Sequence, residues 1–535
     1  MTDIAALVAD NIDIWTAAIE RKSGAGRGGG KRISLYGIER LRALILDLAV
    51  RGKLVPQDAD DEPASELVVR SGRALQVAIA RGEFRAPAKI SASTAAPDLP
   101  TKWAATRLGA VVRVINGRAY KRQELLTSGT PVLRVGNLFT SNEWYYSDLD
   151  LDDDKYINDG DLIYAWSASF GPFIWRGDRV IYHYHIWKLE PHSEADISRE
   201  FLCLFLQSET SAIKASGHGI AMLHMTKERM EQLAINLPPL AEQRRIVAKV
   251  DELMALCDAL ERESAEAMAA HQTLVEVLLA TLVNSTDAPD LARQWARLES
   301  HFDTLFTTDG SIDALKQTIL DLAVRGKLSS GSAASWTPKA LGAFVRDVAA
   351  GWSPKCIETP RSETDWGVLK VSAVTWGRFQ PAENKQLPPS LEPRPEIEVR
   401  PGDFLISRAN TADLVARSVV VPKDAPAKLM MSDKIIRFRF NDEIDPEWVN
   451  LFHASTTARA YYARVAGGTS SSMKNVSQAQ IRAAQLPVPP LAEQRRIIAK
   501  VDALTALCDA LKARLAEAVQ TQRHLADAII DRAAA

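Results

Sequence analysis

The residues best suited by type to recognition chemistry sit on glycine-punctuated loops, and they come in matched sets. One set is Asn116, Arg118, Tyr120, Lys121 and Arg122 around Gly117; its counterpart is Trp352 and Lys355 after Gly351. A second places Arg134 and Asn137 beside Gly136, against Lys370 and Ser372. A third is Trp166, Ser167 and Ser169 against Arg408, Asn410 and Thr411. A fourth is His218 beside Gly219, against Thr469, Ser470 and Lys474. Arginine, lysine, asparagine and hydroxyl side chains are the groups that hydrogen-bond base edges and phosphates. Taken singly, each charged residue also fits a solvated surface. Trp166 and Trp352 fit core packing as well as stacking on a ligand. It is the recurrence at matching places that makes them a set.

Other chemistries find no support in the spacing. Gly28-Gly29-Gly30-Lys31-Arg32 lacks the spacing and the hydroxyl of a phosphate loop, so it reads as a linker. No Asn-Pro-Pro-aromatic, GxSxG or HExxH motif occurs. Cys203, Cys257, Cys356 and Cys508 show no metal-ligand spacing and fit free thiols in a reducing cytosol. His183 and His185 lie in a β-like Tyr-His-Tyr-His-Ile-Trp run, where alternation puts both imidazoles on one face, with no third ligand in sight. No metal, cofactor or catalytic residue is therefore assigned to this chain.

The bulk numbers bound the frame. At 535 residues, 46% hydrophobic and 25% charged, the chain has room for several ordinary globular domains. A formal net charge of −2 gives no global cationic field, so contact with nucleic acid needs local basic faces. The acidic stretch Asp148 to Asp154 has to face away from phosphate. No export signal and no membrane span is expected, which points to the cytoplasm.

The chain also repeats itself. Pro238 to Leu260 matches Pro489 to Leu511 at all but three of 23 positions, at an offset of 251 residues. Leu41 to Leu54 matches Leu315 to Leu328 at 11 of 14 positions. Similar frames around dissimilar stretches imply two equivalent halves with different targets.

Each half reads in the same order. A helix ends in Leu-Ala-Val-Arg-Gly-Lys-Leu, with Gly52 and Gly326 placed as C-cap glycines. A variable region follows. Val132 to Val135, Asp161 to Tyr164 and Val180 to Leu189 are candidate strands in the first, and Ser198 to Ser216 a late helix. In the second, Val368 to Val371, Asp403 to Ser407, Ser418 to Val421 and Ile435 to Phe440 are candidate strands, and Pro446 to Val465 a late helix. A long helix then starts beyond each proline pair. Its small or apolar residues fall at 250, 253, 257, 260, 267, 274 and 278 in the first copy. In the second they fall at Val501, Leu504, Cys508, Leu511, Leu515, Ala518, Leu525 and Ile529. That is a heptad seam. About 44 residues make a rod of roughly 65 Å, and the simplest burial sets one seam against the other, antiparallel by pseudo-twofold symmetry.

The predicted fold class is α+β: two α/β domains separated by two long antiparallel coiled-coil helices, with an internal pseudo-twofold repeat. The boundaries expected are 1–100 for an N-terminal helical region with a glycine-rich linker and 101–237 for the first variable domain. Then come 238–335 for a central helical region, 336–487 for the second variable domain and 488–535 for the last helix. The repeated Glu242, Gln243, Arg244, Arg245 and Glu493, Gln494, Arg495, Arg496 read either as a solvated first helical turn or, because every one recurs, as a docking surface.

Together the two Pro-Leu-Ala-Glu-Gln-Arg-Arg-Ile segments, the two Ile-Leu-Asp-Leu-Ala-Val-Arg-Gly-Lys-Leu segments and the strand exit at Ile235 to Pro238 resemble the DNA specificity subunit of type I restriction–modification systems. The resemblance spans nearly the whole chain, which departs from compact members in its glycine linker and longer N-terminal segment. It implies two target recognition domains, each reading half of a bipartite site on double-stranded DNA. It implies helices that set the spacer and dock two methyltransferase (modification) subunits, with restriction subunits joining that core. It also implies no catalysis in this chain, with S-adenosylmethionine, ATP and magnesium held by the partner subunits. Two other readings stay open. A self-sufficient nuclease or methylase has to cut or methylate alone; a coiled-coil scaffold has to show no salt-linked DNA affinity.

Overall fold

A computed structural model describes residues 4–22, 32–82, 99–167, 169–215, 226–329, 336–375, 377–470 and 473–534. It forms two compact units. One is Met1–Glu266 with Ala518–Ala535, the other Ala267–Glu517, so the division runs through both long helices. Those helices are Leu240–Val283 and Leu491–Ala534, each of 44 residues, the length expected. The repeated shorter helices are Tyr36–Val50 and Asp309–Val324. Both stop as foreseen, at Gly52 with φ +71° and Gly326 with φ +72°, a conformation that a side chain disfavours.

The variable regions share one topology. In the first, the strand order is Val112–Asn116, Ile186–Pro191, Leu162–Ser167, Ser169–Ile174. In the second it is Val345–Ala350, Ile435–Phe440, Phe404–Ser407, Ser418–Val420. A second sheet in each contains a parallel pair, Thr130–Leu133 with Val180–Tyr182 and Gly367–Leu369 with Leu429–Met430. Both regions are α+β domains of one type. The strand exits before the proline pairs, Ala234–Leu237 and Gln485–Pro487, pair with the strands that enter each domain. Entry and exit thereby close each domain at the foot of a long helix.

Equivalent buried ion pairs brace the two main sheets. Asp161 follows Gly160 and pairs with Lys188 at 2.9 Å and Arg199 at 3.1 Å. Asp403 follows Gly402 and pairs with Arg437 and Arg439, both at 3.2 Å. In each case the carboxylate also accepts a backbone N–H three residues upstream, at 2.8 Å. A buried carboxylate persists only when charge and hydrogen bonds replace its water.

Four expected elements differ, one of them Val368 to Val371, whose strand Gly367–Leu369 ends before a short 3-10 helix at Val371–Val374. Thr130–Leu133 stops short, because Val135 begins a short helix. The run Val180 to Leu189 is two strands broken at His183 to His185. The late helical patch is two helices, Pro446–Ala454 and Thr456–Val465, parted at Ser455, whose hydroxyl caps the second.

The direction of the long helices follows from the segments packed on them. In the first unit, Gln57 bonds Glu242 at 2.6 Å and Lys53 bonds the carbonyl of Ala534 at 3.2 Å. Further back, Arg42 reaches Asp258 and Glu261, while Arg40 and Tyr36 reach Asp527. Stepping from residue 57 to 36 thus climbs one long helix and descends the other. In the second unit Ser329 meets Glu493 and Lys327 meets the carbonyl of Val283; Lys316 meets Asp509, and the carbonyl of Thr304 meets His271. The helices run antiparallel within each unit, as expected.

The seam is not a strict heptad repeat. On the first long helix Ile246, Val250, Leu253, Cys257 and Leu260 are buried, then Val275, Leu279 and Leu282. On the second, Ile497, Val501 and Cys508 are followed by Ala526, Ile530 and Ala533. The expected positions 267, 518, 274 and 525 face out, with Leu274 50% and Leu525 43% exposed. In both copies the stripe slips by one residue, through Ser264 and Met268 in one and Leu515 and Val519 in the other. A straight α-helix of 3.6 residues per turn drifts off a 3.5-residue seam, and consecutive four-residue steps correct the drift. By length and composition the first long helix also meets the criterion for a membrane span, with 22% of that stretch buried. A core-packed helix meets the same criterion.

Candidate nucleic-acid interface

In the first unit the candidate loops converge on the turn His183 to His185. Arg118 donates its amide to Tyr182 and accepts from the amide of Tyr184. The amide of His183 bonds Leu133, next to Arg134, and the amide of Trp166 bonds His185. Gly117 makes this approach feasible, since a Cβ there would lie 2.3 Å from the carbonyl of His183. Gly351 has the same duty, 2.2 Å from the carbonyl of Ser432. Neither position tolerates a side chain without moving backbone.

Arg118 is half-buried and paired with Glu124 at 2.8 Å, and it lies 5.3 Å over the Tyr120 ring. The Tyr120 hydroxyl is pushed up to about 12 by burial and touches the carbonyl of Tyr182. These two shape the loop, while Asn116, Lys121, Arg122, Arg134 and Ser169 are exposed. Trp166 stacks on the buried Trp187 at 5.5 Å and donates its indole N–H to Tyr184, so it is half structural. Ser167 pairs with Ser169 at a hairpin tip. His218 lies outside the described residues.

The paired histidines sit differently from the sequence expectation. Their rings stand 4.9 Å apart in a turn, not on one strand face, and no group of three metal-ligating residues occurs among the described residues. Burial, with His185 and Arg134 nearby, pushes His183 down to about 4. His185 is lowered by the same burial and by Arg134. Both rings are neutral at physiological pH.

In the second unit a small sheet gathers the candidates. Ala409–Asn410, Met473–Asn475 and Gly467–Ser470 form three strands, with Asn410 opposite Lys474 and the Lys474 ammonium on the carbonyl of Gly468. Thr469 and Ser470 belong to that strand. Asn410 donates to Thr375 and accepts from the amide of Thr411. Arg408 is exposed beside them. Trp352 packs on a core cluster and carries Arg394 4.1 Å above its ring, so its role is largely structural; Lys355 is exposed. Lys370 and Ser372 both turn to Glu383, at 3.9 Å and 2.7 Å. Sequence reasoning missed Glu383 and Arg394, which reach these residues from a bend and a loop farther along the chain.

The acidic stretch is partly neutralised inside its own domain. Asp153 pairs with Arg179 at 2.9 Å and Asp154 with Lys155 at 3.0 Å.

Most of the candidate docking residues have internal duties. Glu242 is fully buried and accepts from Gln57 and, at 3.1 Å, from the Trp103 indole; desolvation raises its pKa. Gln243 is fully buried, accepting from the amide of Ser198 at 2.8 Å and donating to the carbonyl of Pro238 at 2.9 Å. Gln494 repeats this with the amide of Asp445 and the carbonyl of Pro489. Arg245 pairs with Asp61 at 2.5 Å, and Glu493 with Arg496 and Ser329. Direct docking through Glu242, Gln243 and Gln494 is corrected: Gln243 and Gln494 lock a late helix to a long one, and Glu242 holds Gln57 and Trp103. Arg244, Arg495 and Arg496 are exposed.

Comparison with known proteins adds to this. A family profile described as the type I restriction modification DNA specificity domain matches residues 100–268 and 400–521. The type I restriction enzyme EcoEI specificity subunit of Escherichia coli is 35% identical over 98% of this chain and 99% of its own. The EcoAI specificity subunit of the same species is 30% identical over 98% and 99%. A solved chain described under "Structural basis underlying complex assembly and conformational transition of the type I R-M system" is 20% identical, covering 84% of this chain and 99% of its own at a TM-score of 0.49.

Proposed function

This chain belongs to the family of type I restriction enzyme specificity subunits, and we propose that each of its variable domains reads one half of a bipartite site on double-stranded DNA. In this reading it is the recognition component and not the catalyst. The observation that carries it is one strand order built twice, with polar loops that differ at every matching place. A shared frame holds the two surfaces alike, and dissimilar loops give them different base preferences.

The remaining parts of the reading extend it. The long helices set the spacer between half-sites. Two modification subunits dock on the repeated helices, where Arg244, Arg495 and Arg496 offer exposed charge. Restriction subunits join that core. S-adenosylmethionine, ATP and magnesium belong to those partners, and the assembly works in the cytoplasm.

The test is a domain exchange. Replacing residues 103–236 with the corresponding domain of another family member is expected to change one half of the methylated site in a host methylome and leave the other half intact. An unchanged site removes the first domain from recognition. Deleting one heptad from both long helices is expected to alter the spacer while both half-sites stay readable. Loss of all binding in that variant gives the helices a role beyond spacing.

A further inference from the structure

A cavity of about 330 Å³ opens in the first unit, walled by Arg134, Asn137, Glu143, Tyr145, His183 and His185 among others. Its chemistry is unusual because two opposite charges share the wall without pairing. The Arg134 guanidinium lies 5.1 Å from the centre of the Tyr145 ring and makes no ion pair or hydrogen bond to a described side chain. The Glu143 carboxylate likewise has no cationic partner among the described residues, although its backbone is well held. Its amide donates to Ser141 at 3.1 Å and its carbonyl accepts from Asn137 at 2.7 Å.

Asn137 fixes the geometry. Its amide nitrogen holds the backbone of Glu143, and its side-chain oxygen accepts from the backbone N–H of Arg134 at 3.0 Å. One side chain therefore sets the separation of the two charged residues. Asn137 commits one N–H and one lone pair to this bridge and acts as a positioning residue.

The electrostatics decide between two ligands. With His183 and His185 neutral, the formal charges on the wall are those of Arg134 and Glu143, which cancel. A phosphate would meet one cation and one anion, and the anion repels it. A base-pair edge with both acceptors and a donor matches instead. In the major groove, guanine presents the N7 and O6 acceptors that suit an arginine fork, and cytosine presents the N4 amino donor that suits a carboxylate.

We infer that this cavity is the base-reading centre of the first unit, with Arg134 donating to a guanine and Glu143 accepting from the amino group of its paired cytosine. The inference rests on the DNA-reading function proposed above and names the base pair that one domain reads.

The experiment selects bound duplexes from a randomised DNA library with the full chain, co-expressed with its modification subunits. Wild type, Arg134→Ala and Glu143→Gln are compared. Both variants are expected to lose preference at the same G·C position of one half-site, by about tenfold or more. The other half-site is expected to stay as selective as in wild type, which reports a folded chain. Where Arg134→Ala disrupts folding, the near-isosteric Glu143→Gln reads the same base pair. A selective wild type with unchanged selection in both variants overturns the inference alone. Uniform weakening with a shallower salt dependence also overturns it, since that is the mark of a phosphate contact. A wild type that selects no sequence removes the DNA-reading function itself.

Discussion

Lys327 donates to the backbone carbonyl of Val283 at 2.6 Å, at the last residue of the first long helix. Its equivalent in the earlier repeat, Lys53, reaches the carbonyl of Ala534 at 3.2 Å, at the end of the second. The repeated Arg-Gly-Lys-Leu is thus a two-way device. Its glycine ends a short helix, and its lysine caps the carbonyl end of a long one, where a cation also meets the negative end of the dipole. Lys327→Met, which keeps the stem and removes the charge, is expected to cost about 1 kcal/mol in urea unfolding. An unchanged midpoint would show that the cap is decorative.

The slip in the seam separates residues that a heptad reading treats alike. Leu274 is half exposed and Leu279 is 3% exposed, five residues apart on one helix. Leu279→Ala is expected to cost about 2–5 kcal/mol through lost burial and a cavity. Leu274→Ala is expected to cost roughly 0.5 kcal/mol or less. Equal losses in calorimetry would restore the strict heptad.

Gln243 spans two backbone groups, and Gln494 three, across the joint between a domain and its long helix. Gln243→Glu keeps the acceptor for the amide of Ser198 but cannot donate to Pro238 when ionised. It is expected to destabilise by about 1–3 kcal/mol, as is Gln494→Glu. The check is denaturant unfolding of each variant at neutral pH; losses within error in both would mean that water replaces the bond.

His453 gives the second unit a pH dependence. The ring is fully buried, with Nδ1 2.8 Å from the carbonyl of Val449 and Nε2 2.8 Å from the Tyr462 hydroxyl. A neutral ring donating from Nδ1 and accepting at Nε2 satisfies both. Burial pushes its pKa down to about 4, against roughly 6.5 when unfolded. The unfolded chain therefore binds a proton that the folded chain refuses. The stability this contributes is complete above pH ~6.5 and is lost as pH falls towards 4, by up to about 1.4 kcal/mol per pH unit within that window. His453→Gln is expected to flatten the slope of unfolding free energy between pH 6.5 and 4.5. A slope that survives the substitution assigns the effect to other groups.

Much of the architecture was legible in the chain. The helix ends at Gly52 and Gly326, the 44-residue helices behind their proline pairs and the matched strand pattern are all local consequences of residue type and period. So was the duplication, because near-identical segments fold alike wherever they lie.

What only the tertiary structure decided is which side chains are consumed by the fold. Glu242 and Gln243 look like a solvated helical turn until Gln57, Trp103 and Ser198 arrive from far along the chain. Positions 267 and 274 look like seam until the drift of a real helix turns them outward. Arg134, Glu143 and His183 become one cavity wall only when a strand, a short helix and a turn meet. Periodicity reports which face of an element is apolar, because that is set by neighbours three or four residues away. Partners are set by contacts across tens to hundreds of residues, and no local pattern carries them.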